Sequence, residues 1–193
     1  MKQTDELSSS SFEDVHLIQR IVEQRDREAM EFFYRRYWNK LSGFLYRILL
    51  INGLVEEVYN DIMMIVWQKA SQFNGSSKVS TWVFSIAYRQ CLQLKRKESK
   101  HYSEELTEQF EPALESDEVG DYQQQRVMKK ALADLSVEHR SVIELSYYVG
   151  CNYAEIAIIS GCPENTVKTR MFHARRKLKD SLLKLGESSL AQV

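Results

Sequence analysis

A chain of 193 residues, 44% of them hydrophobic, holds enough apolar side chain for one moderate core or two small ones, and two are expected here. Gly and Pro are scarce, apolar residues recur at helical spacing, and no alternating run signals a hairpin, so the expected class is all-α. The net charge of −1 names no partner, yet it conceals a segregation: Glu164 to Lys184 carries seven Lys or Arg against two acids, whereas Glu98 to Asp121 carries nine acids and one Lys.

Ser11 with Asp14 can start a first helix with an apolar stripe of Val15, Ile18, Ile21 and Val22. Asp26 can cap a long second helix to about Leu50, with Met30, Phe33, Tyr34, Tyr37, Leu41, Phe44, Leu45 and Ile48 on one side, and Asn52-Gly53 breaks it. A third helix spans Leu54 to about Ala70, with Val55, Val58, Ile62, Val66 and neighbouring Met63 and Met64. The polar segment 71–80 comes next, and then TWVFSIAYRQCLQLKRK, Thr81 to Lys97, which joins Trp82, Phe84 and Tyr88 to Arg89, Lys95, Arg96 and Lys97. Aromatic rings interleaved with cations suit unpaired bases and phosphate, although core packing and a solvated helix end account for them equally well.

Residues 98–126 read as a flexible acidic linker. Its acidic stretch, residues 98–121, would have a root-mean-square reach of about 25 to 30 Å and an extended limit of roughly 80 Å, enough to let two modules touch DNA boxes one or two helical turns apart.

Beyond the linker, Ser136 can cap a helix whose Val137, Val142, Ile143, Leu145 and Tyr148 would roof the motif next in the chain. Asn152 and Glu155 form a capping-box pattern ahead of Ala154, Ile156, Ala157 and Ile159; Gly161 suits a left-handed helix end, and Pro163 discourages continuation. From Thr166, Val167, Met171, Ala174 and Leu178 recur at helical spacing, which turns Lys168, Thr169, Arg170, His173, Arg176 and Lys177 outward. Short helix, glycine turn and basic second helix form the layout of a helix-turn-helix, whose second helix enters the major groove.

Some chemistries find little support. Cys91, Cys151 and Cys162 are odd in number and widely spaced, and four His are scattered, so neither a disulfide framework nor a metal site is expected. No Gly-rich phosphate loop or nucleophile motif is visible; no enzyme activity, cofactor or small-molecule substrate is expected. No apolar run reaches bilayer length and MKQTDELSSSSFED lacks the features of a signal peptide, so a cytoplasmic location is expected.

Three segments together resemble one family. EEVYNDIMMIVW from Glu56 is similar to EDLVQEVFLKLW, SQFNGSSKVSTWVFSIA from Ser71 to the loop and helix around TWLYRIA, and YAEIAIISGCPENTVKTRMFHARRKL from Tyr153 to YEEIAEILGVPVGTVKSRLHRARRRL. In this order they resemble an extracytoplasmic-function (ECF) sigma factor of bacterial RNA polymerase. The resemblance implies a domain at 12–97 that binds core polymerase and recognises and melts the −10 box, the linker 98–126, and a helix-turn-helix domain at 127–185 that reads the −35 box. It implies core polymerase contact through Glu57, Asn60 and Asp61, which on residue type alone read first as a solvated helix face. It implies −10 contacts from Asn74, Ser76, Ser77, Lys78, Trp82, Tyr88 and Arg89, and −35 contacts from Lys168, Thr169, Arg170, Phe172, His173 and Arg176. Promoter DNA, core RNA polymerase and an anti-sigma factor, often membrane-anchored, are the implied partners. Tyr88, Arg89, Ser85, Gln93, Glu164 and Asn165 depart from the usual family residues, all on readout surfaces. The competing reading is a stand-alone helix-turn-helix regulator.

Overall fold

The computed structural model describes residues 2–101 and 127–190, with side chains placed for 12–51, 53–97 and 127–185. The described chain is helical throughout, without strands: α1 (Lys2–Gln24), α2 (Arg27–Leu49), α3 (Val55–Lys69), α4 (Val79–His101), α5 (127–133), α6 (Val137–Glu144), α7 (Tyr153–Ser160) and α8 (Glu164–Leu190). The class is all-α, with α1–α4 and α5–α8 forming two helical domains. Most of the linker expected at 98–126 lies outside the described residues, and its first four residues continue α4.

Helix ends follow local chemistry. Asp26 caps α2, accepting hydrogen bonds from the N–H groups of Glu28 (2.9 Å) and Ala29 (3.1 Å), and Arg20 donates to its other oxygen. At its other end α2 stops earlier than Asn52-Gly53: Leu50 takes a left-handed conformation (φ 63°) and donates back to the Tyr46 carbonyl, while Gly53 has no positive φ. A leucine there costs about 1 kcal/mol relative to glycine, set against the packing of the chain beyond it.

The start of α1 differs from expectation. The helix begins at Lys2, so Asp14 lies inside it, 7% exposed, accepting from the Tyr37 hydroxyl (2.7 Å) and paired with Arg36. Asp14 therefore ties α1 to α2 instead of capping. Val22, expected in the stripe, is 40% exposed.

Around this tie Ile18, Ile21, Phe33, Leu41, Phe44, Ile48, Tyr59, Ile62, Val83 and Phe84 are buried. Phe44 and Phe84 meet edge to face, and Tyr59 does the same with Tyr34 and Trp38. In the second domain Ser136 caps α6, and Val142, Ile143, Leu145, Ile156, Ile159, Val167, Met171 and Ala174 fill the interior. Tyr148, expected to roof the motif, is exposed: α6 runs into a π-helical turn, Leu145–Val149, and the extra residue in the turn rotates Tyr148 outward.

The two interiors are continuous. Helix α7 lies against α4 and α6 against α2, so one buried cluster crosses from Phe84 and Cys91 to Ile156 and Met171. Arg140, 4% exposed, pins this junction: its guanidinium donates to the carbonyls of Leu132 (2.8 Å), Ala133 (3.1 Å) and Leu135 (3.0 Å) in its own domain and of Ile48 (2.7 Å) in the other.

Candidate nucleic-acid interface

The helix-turn-helix is built as its residues dictate. Asn152 and Glu155 form a reciprocal capping box at the start of α7. Gly161 (φ 63°) ends α7, and the N–H groups of Gly161 and Cys162 return to the carbonyls of Ile158 and Ala157, the double bond of a Schellman motif. Pro163 does more than block continuation: its carbonyl accepts from Thr166 (2.9 Å) and Val167 (3.2 Å), opening α8.

One face of α8 is core, with Val167, Met171 and Ala174 nearly inaccessible. That burial fixes the rotation of the helix, so Lys168, Thr169, Phe172, His173 and Arg176 are all exposed, Phe172 at 63%. Two are engaged within the helix: Lys168 pairs with Glu164 at 3.1 Å, and the Thr169 hydroxyl donates to the Asn165 carbonyl. Arg170 is turned inward. It is half-buried, its Nη1 lies 3.6 Å from the Cys162 sulfur, and it faces Tyr88 across the junction.

The loop before α4 is shaped by an Asx turn, in which Asn74 Oδ1 accepts from the Ser76 N–H at 3.0 Å, and by Gly75 at φ 74°. Asn74, Ser76 and Lys78 are exposed and Ser77 is half-buried. Trp82 is half-buried against Phe73 and lines a cavity of about 180 Å³ with Gln72, Ile86, Arg89 and Gln93. Arg89 reaches this opening with its guanidinium held by the Ser85 carbonyl and hydroxyl, both at 2.9 Å.

Tyr88 stands apart. Only 3% exposed, it lies under the second domain, where burial pushes its phenol up against the opposing pull of Arg170. Lys78 also reaches across, pairing with Glu155 of α7 at 2.8 Å. Of the residues expected at the −10 strand, Asn74, Ser76, Lys78 and Arg89 are thus exposed, Ser77 and Trp82 half-buried and Tyr88 buried.

On α3, Glu57, Asn60 and Asp61 are exposed together, and Asn60 is oriented by the Tyr34 hydroxyl at 2.9 Å. Met64, which the sequence sets beside the apolar stripe, is 55% exposed and extends this face. Its spacing of four from Asn60 and three from Asp61 was the available signal.

His139 on α6 faces His173 on α8, with ring centroids 6.4 Å apart. Burial first, and His173, Lys177 and Arg170 after it, hold the His139 imidazole below its ordinary range despite Glu138. Because the unfolded chain binds that proton more readily, its contribution to stability is complete above the ordinary histidine range and is lost as pH falls through the depressed value. Thermal melts of the second domain should therefore lose stability on acidification through this window, and His139→Gln should flatten that part of the profile.

Residues 33–101 match the family model for Sigma-70 region 2, and residues 125–178 match that for Sigma-70, region 4. The ECF RNA polymerase sigma factor RpoE of Cereibacter sphaeroides is 30% identical over 172 residues, covering 87% of this chain and 94% of that protein. The ECF RNA polymerase sigma factor SigK of Mycobacterium tuberculosis is 29% identical over 177 residues, covering 88% of this chain and 94% of its own length. Among solved structures, the sigma factor RpoE from Bartonella quintana, in a complex with the anti-sigma factor NepR, superposes with a TM-score of 0.64 at 26% identity, covering 79% of this chain and 96% of that one. CnrH, in complex with the cytosolic domain of CnrY, shares the fold at a TM-score of 0.67 and 20% identity, covering 88% of this chain and 97% of that one. With both regions present in order on a matching helical scaffold, the chain belongs to the sigma-70 family, among the ECF RNA polymerase sigma factors.

Proposed function

We propose that this ECF sigma factor divides its work between a domain at 12–97 and a domain at 127–185, joined by a linker at 98–126. The first docks on core RNA polymerase through Glu57, Asn60 and Asp61 of α3, where acidic and amide groups on one exposed face set docking register and speed encounter. It then holds the opened −10 strand with Asn74, Ser76, Ser77, Lys78, Trp82 and Arg89. Extruding a base costs a few kcal/mol of stacking and pairing, and phosphate contacts with the pocket at Trp82 offset it. Tyr88 can join this set once the second domain moves off it. No catalysis or cofactor is involved; binding energy opens the duplex.

The second domain reads the −35 duplex with α8. The observation that carries this reading is the row Lys168, Thr169, Phe172, His173 and Arg176, exposed along a helix whose opposite face is core. Two matched regions in one chain disfavour a stand-alone regulator, which would have no use for the first. An anti-sigma factor is the proposed inhibitor, as the Bartonella quintana complex illustrates. None of the described helices is long and apolar enough to cross a membrane. The proposed location is the cytoplasm, with any membrane attachment supplied by the inhibitor.

Purified protein added to core bacterial RNA polymerase should yield transcripts that start at one position on its cognate promoter. Failure of the two to associate would sink the reading. Arg170→Ala should weaken binding to the −35 duplex by about 1 to 3 kcal/mol if the guanidinium grips a base edge, with relaxed preference at one position. Lys168→Ala, acting on phosphate, should weaken all sequences alike and reduce the salt slope by about one. Equilibrium titrations at several salt concentrations separate the two.

A further inference from the structure

Two histidines far apart in the chain meet at the edge of α8. His139 stands in the first turn of α6, His173 on α8, and the fold sets their ring centroids 6.4 Å apart. Arg170 precedes His173 by three positions and Lys177 follows it by four, so the three basic side chains share one stripe of α8. His173 and Lys177 are exposed and His139 is half-buried against them. Burial, and then the charges of His173, Lys177 and Arg170, disfavour a proton on His139, while Glu138 of its own helix favours one. From α4, Tyr88 faces Glu138 and Arg170, and burial pushes its phenol up, so it carries no charge near neutral pH. From the turn after α7, the Cys162 sulfur lies 3.6 Å from Arg170 Nη1. Four basic side chains with one carboxylate among them make a positive patch suited to a phosphodiester. Two imidazole N–H groups can share one phosphate oxygen: at ordinary N–H···O lengths each ring centre lies about 4 Å from it, and the centres lie about 6 to 7 Å apart.

On the reading of α8 as the −35 helix, we infer that His139, His173 and Lys177 hold one backbone phosphate of the duplex, and that DNA binding draws a proton onto His139. This makes α6 a DNA-binding element beside α8. A phosphate contact carries no base preference; it fixes the register in which the exposed residues of α8 meet the groove. The phosphate charge offsets the neighbouring cations and favours the charged imidazole, so the complex takes up a proton that the free protein holds weakly. Acidification therefore has opposite signs in the two states: through His139 it weakens the free domain and tightens the complex.

Fluorescence anisotropy of the full chain at low salt, with a labelled mixed-sequence duplex of about 30 base pairs, reads this contact because phosphate binding acts on any sequence. The starting protein should bind about five- to tenfold more tightly at about pH 6 than at about pH 8, the range in which an imidazole changes charge. His139→Gln should cut that ratio to about twofold or less, and His16→Gln, on α1, should leave it intact. His139→Lys, charged throughout, should bind at about pH 8 as tightly as the starting protein does at about pH 6. Circular dichroism should show helix content unchanged in each variant. A ratio that survives His139→Gln would overturn the inference, and so would loss of binding at both pH values in a folded His139→Lys. Where a variant fails to fold, imidazole NMR of the starting protein decides: the duplex should raise the His139 titration midpoint by about one pH unit. No movement there would overturn the inference, and an equal movement with inorganic phosphate alone would overturn the assignment to DNA. Absence of duplex binding by every form would remove the phosphate seat, and the transcription assay above would then decide by itself whether the sigma reading stands.

Discussion

Arg140→Met should destabilise the second domain by about 3 to 5 kcal/mol, one of the two largest single-site effects expected in the chain. The side chain is 4% exposed, and four of its five N–H groups donate to carbonyls. Three of those carbonyls, Leu132, Ala133 and Leu135, belong to the end of α5 and the turn after it; Leu132 also accepts from the Leu135 N–H at 3.1 Å, so Ala133 and Leu135 depend most on the guanidinium. Methionine fills the volume and satisfies none of them. Each acceptor left dry costs about 1 kcal/mol or more, discounted where water can enter beside Ala133. Arg140→Lys should recover less than half, because one ammonium cannot span four carbonyls that a planar fork reaches. Urea unfolding followed by far-UV circular dichroism should resolve an early transition for 127–185 with the first domain still folded. A single unshifted transition would show that the carbonyls find other partners.

Nothing in the sequence marks Arg140, and the reason is physical. Read alone, Arg140, Ser141 and Glu144 look like the wet side of a short amphipathic helix, yet all three are buried. Glu144 and part of Arg140 are covered by the other domain, and periodicity reports only which face of a helix is apolar, not what lies upon it. The same limit explains Tyr88, which the family resemblance placed among the −10 contacts and the fold places under the second domain. Features whose cause is local were legible: the Asp26 cap, the Asn152–Glu155 box and the left-handed Gly161 each depend on a few neighbouring residues. The α8 stripe was legible too, because an apolar face with a cationic reverse fixes the rotation of the helix wherever it docks. Local signals misled where a long-range contact outbid them. Asp14 has the chemistry of a cap but is claimed by Tyr37 and Arg36, and Met64 has the chemistry of core but faces solvent beside Asp61.

Arg47→Ala should open the molecule and leave each domain folded. Glu144 has no accessible surface; one carboxylate oxygen meets Arg47 and the other has no hydrogen-bond partner among the described residues. Removing the partner of a buried charge costs about 3 to 5 kcal/mol while the charge stays buried. Here it need not stay buried, because separating the domains returns Glu144 to water, so the loss is capped at the free energy of docking. Unfolding midpoints of the separate transitions should therefore move by less than about 1 kcal/mol while the scattering radius rises. Burial already holds the Glu144 carboxyl above the usual glutamate range, against the pull of Arg47 and Arg140. A carboxyl with a raised value binds its proton more tightly in the docked form, so docking strengthens as pH falls through that raised value and is fully strengthened below the usual range. Arg47→Ala should thus close again on mild acidification. Arg47→Met combined with Glu144→Met should stay closed at every pH, since replacing both members of a buried pair by apolar side chains is neutral or stabilising by up to about 4 kcal/mol. Scattering from the three proteins across pH 5 to 8, roughly the range in which most folded domains are at their most stable, tests this. A double variant as open as Arg47→Ala would show that the pair supplies attraction that apolar packing cannot replace.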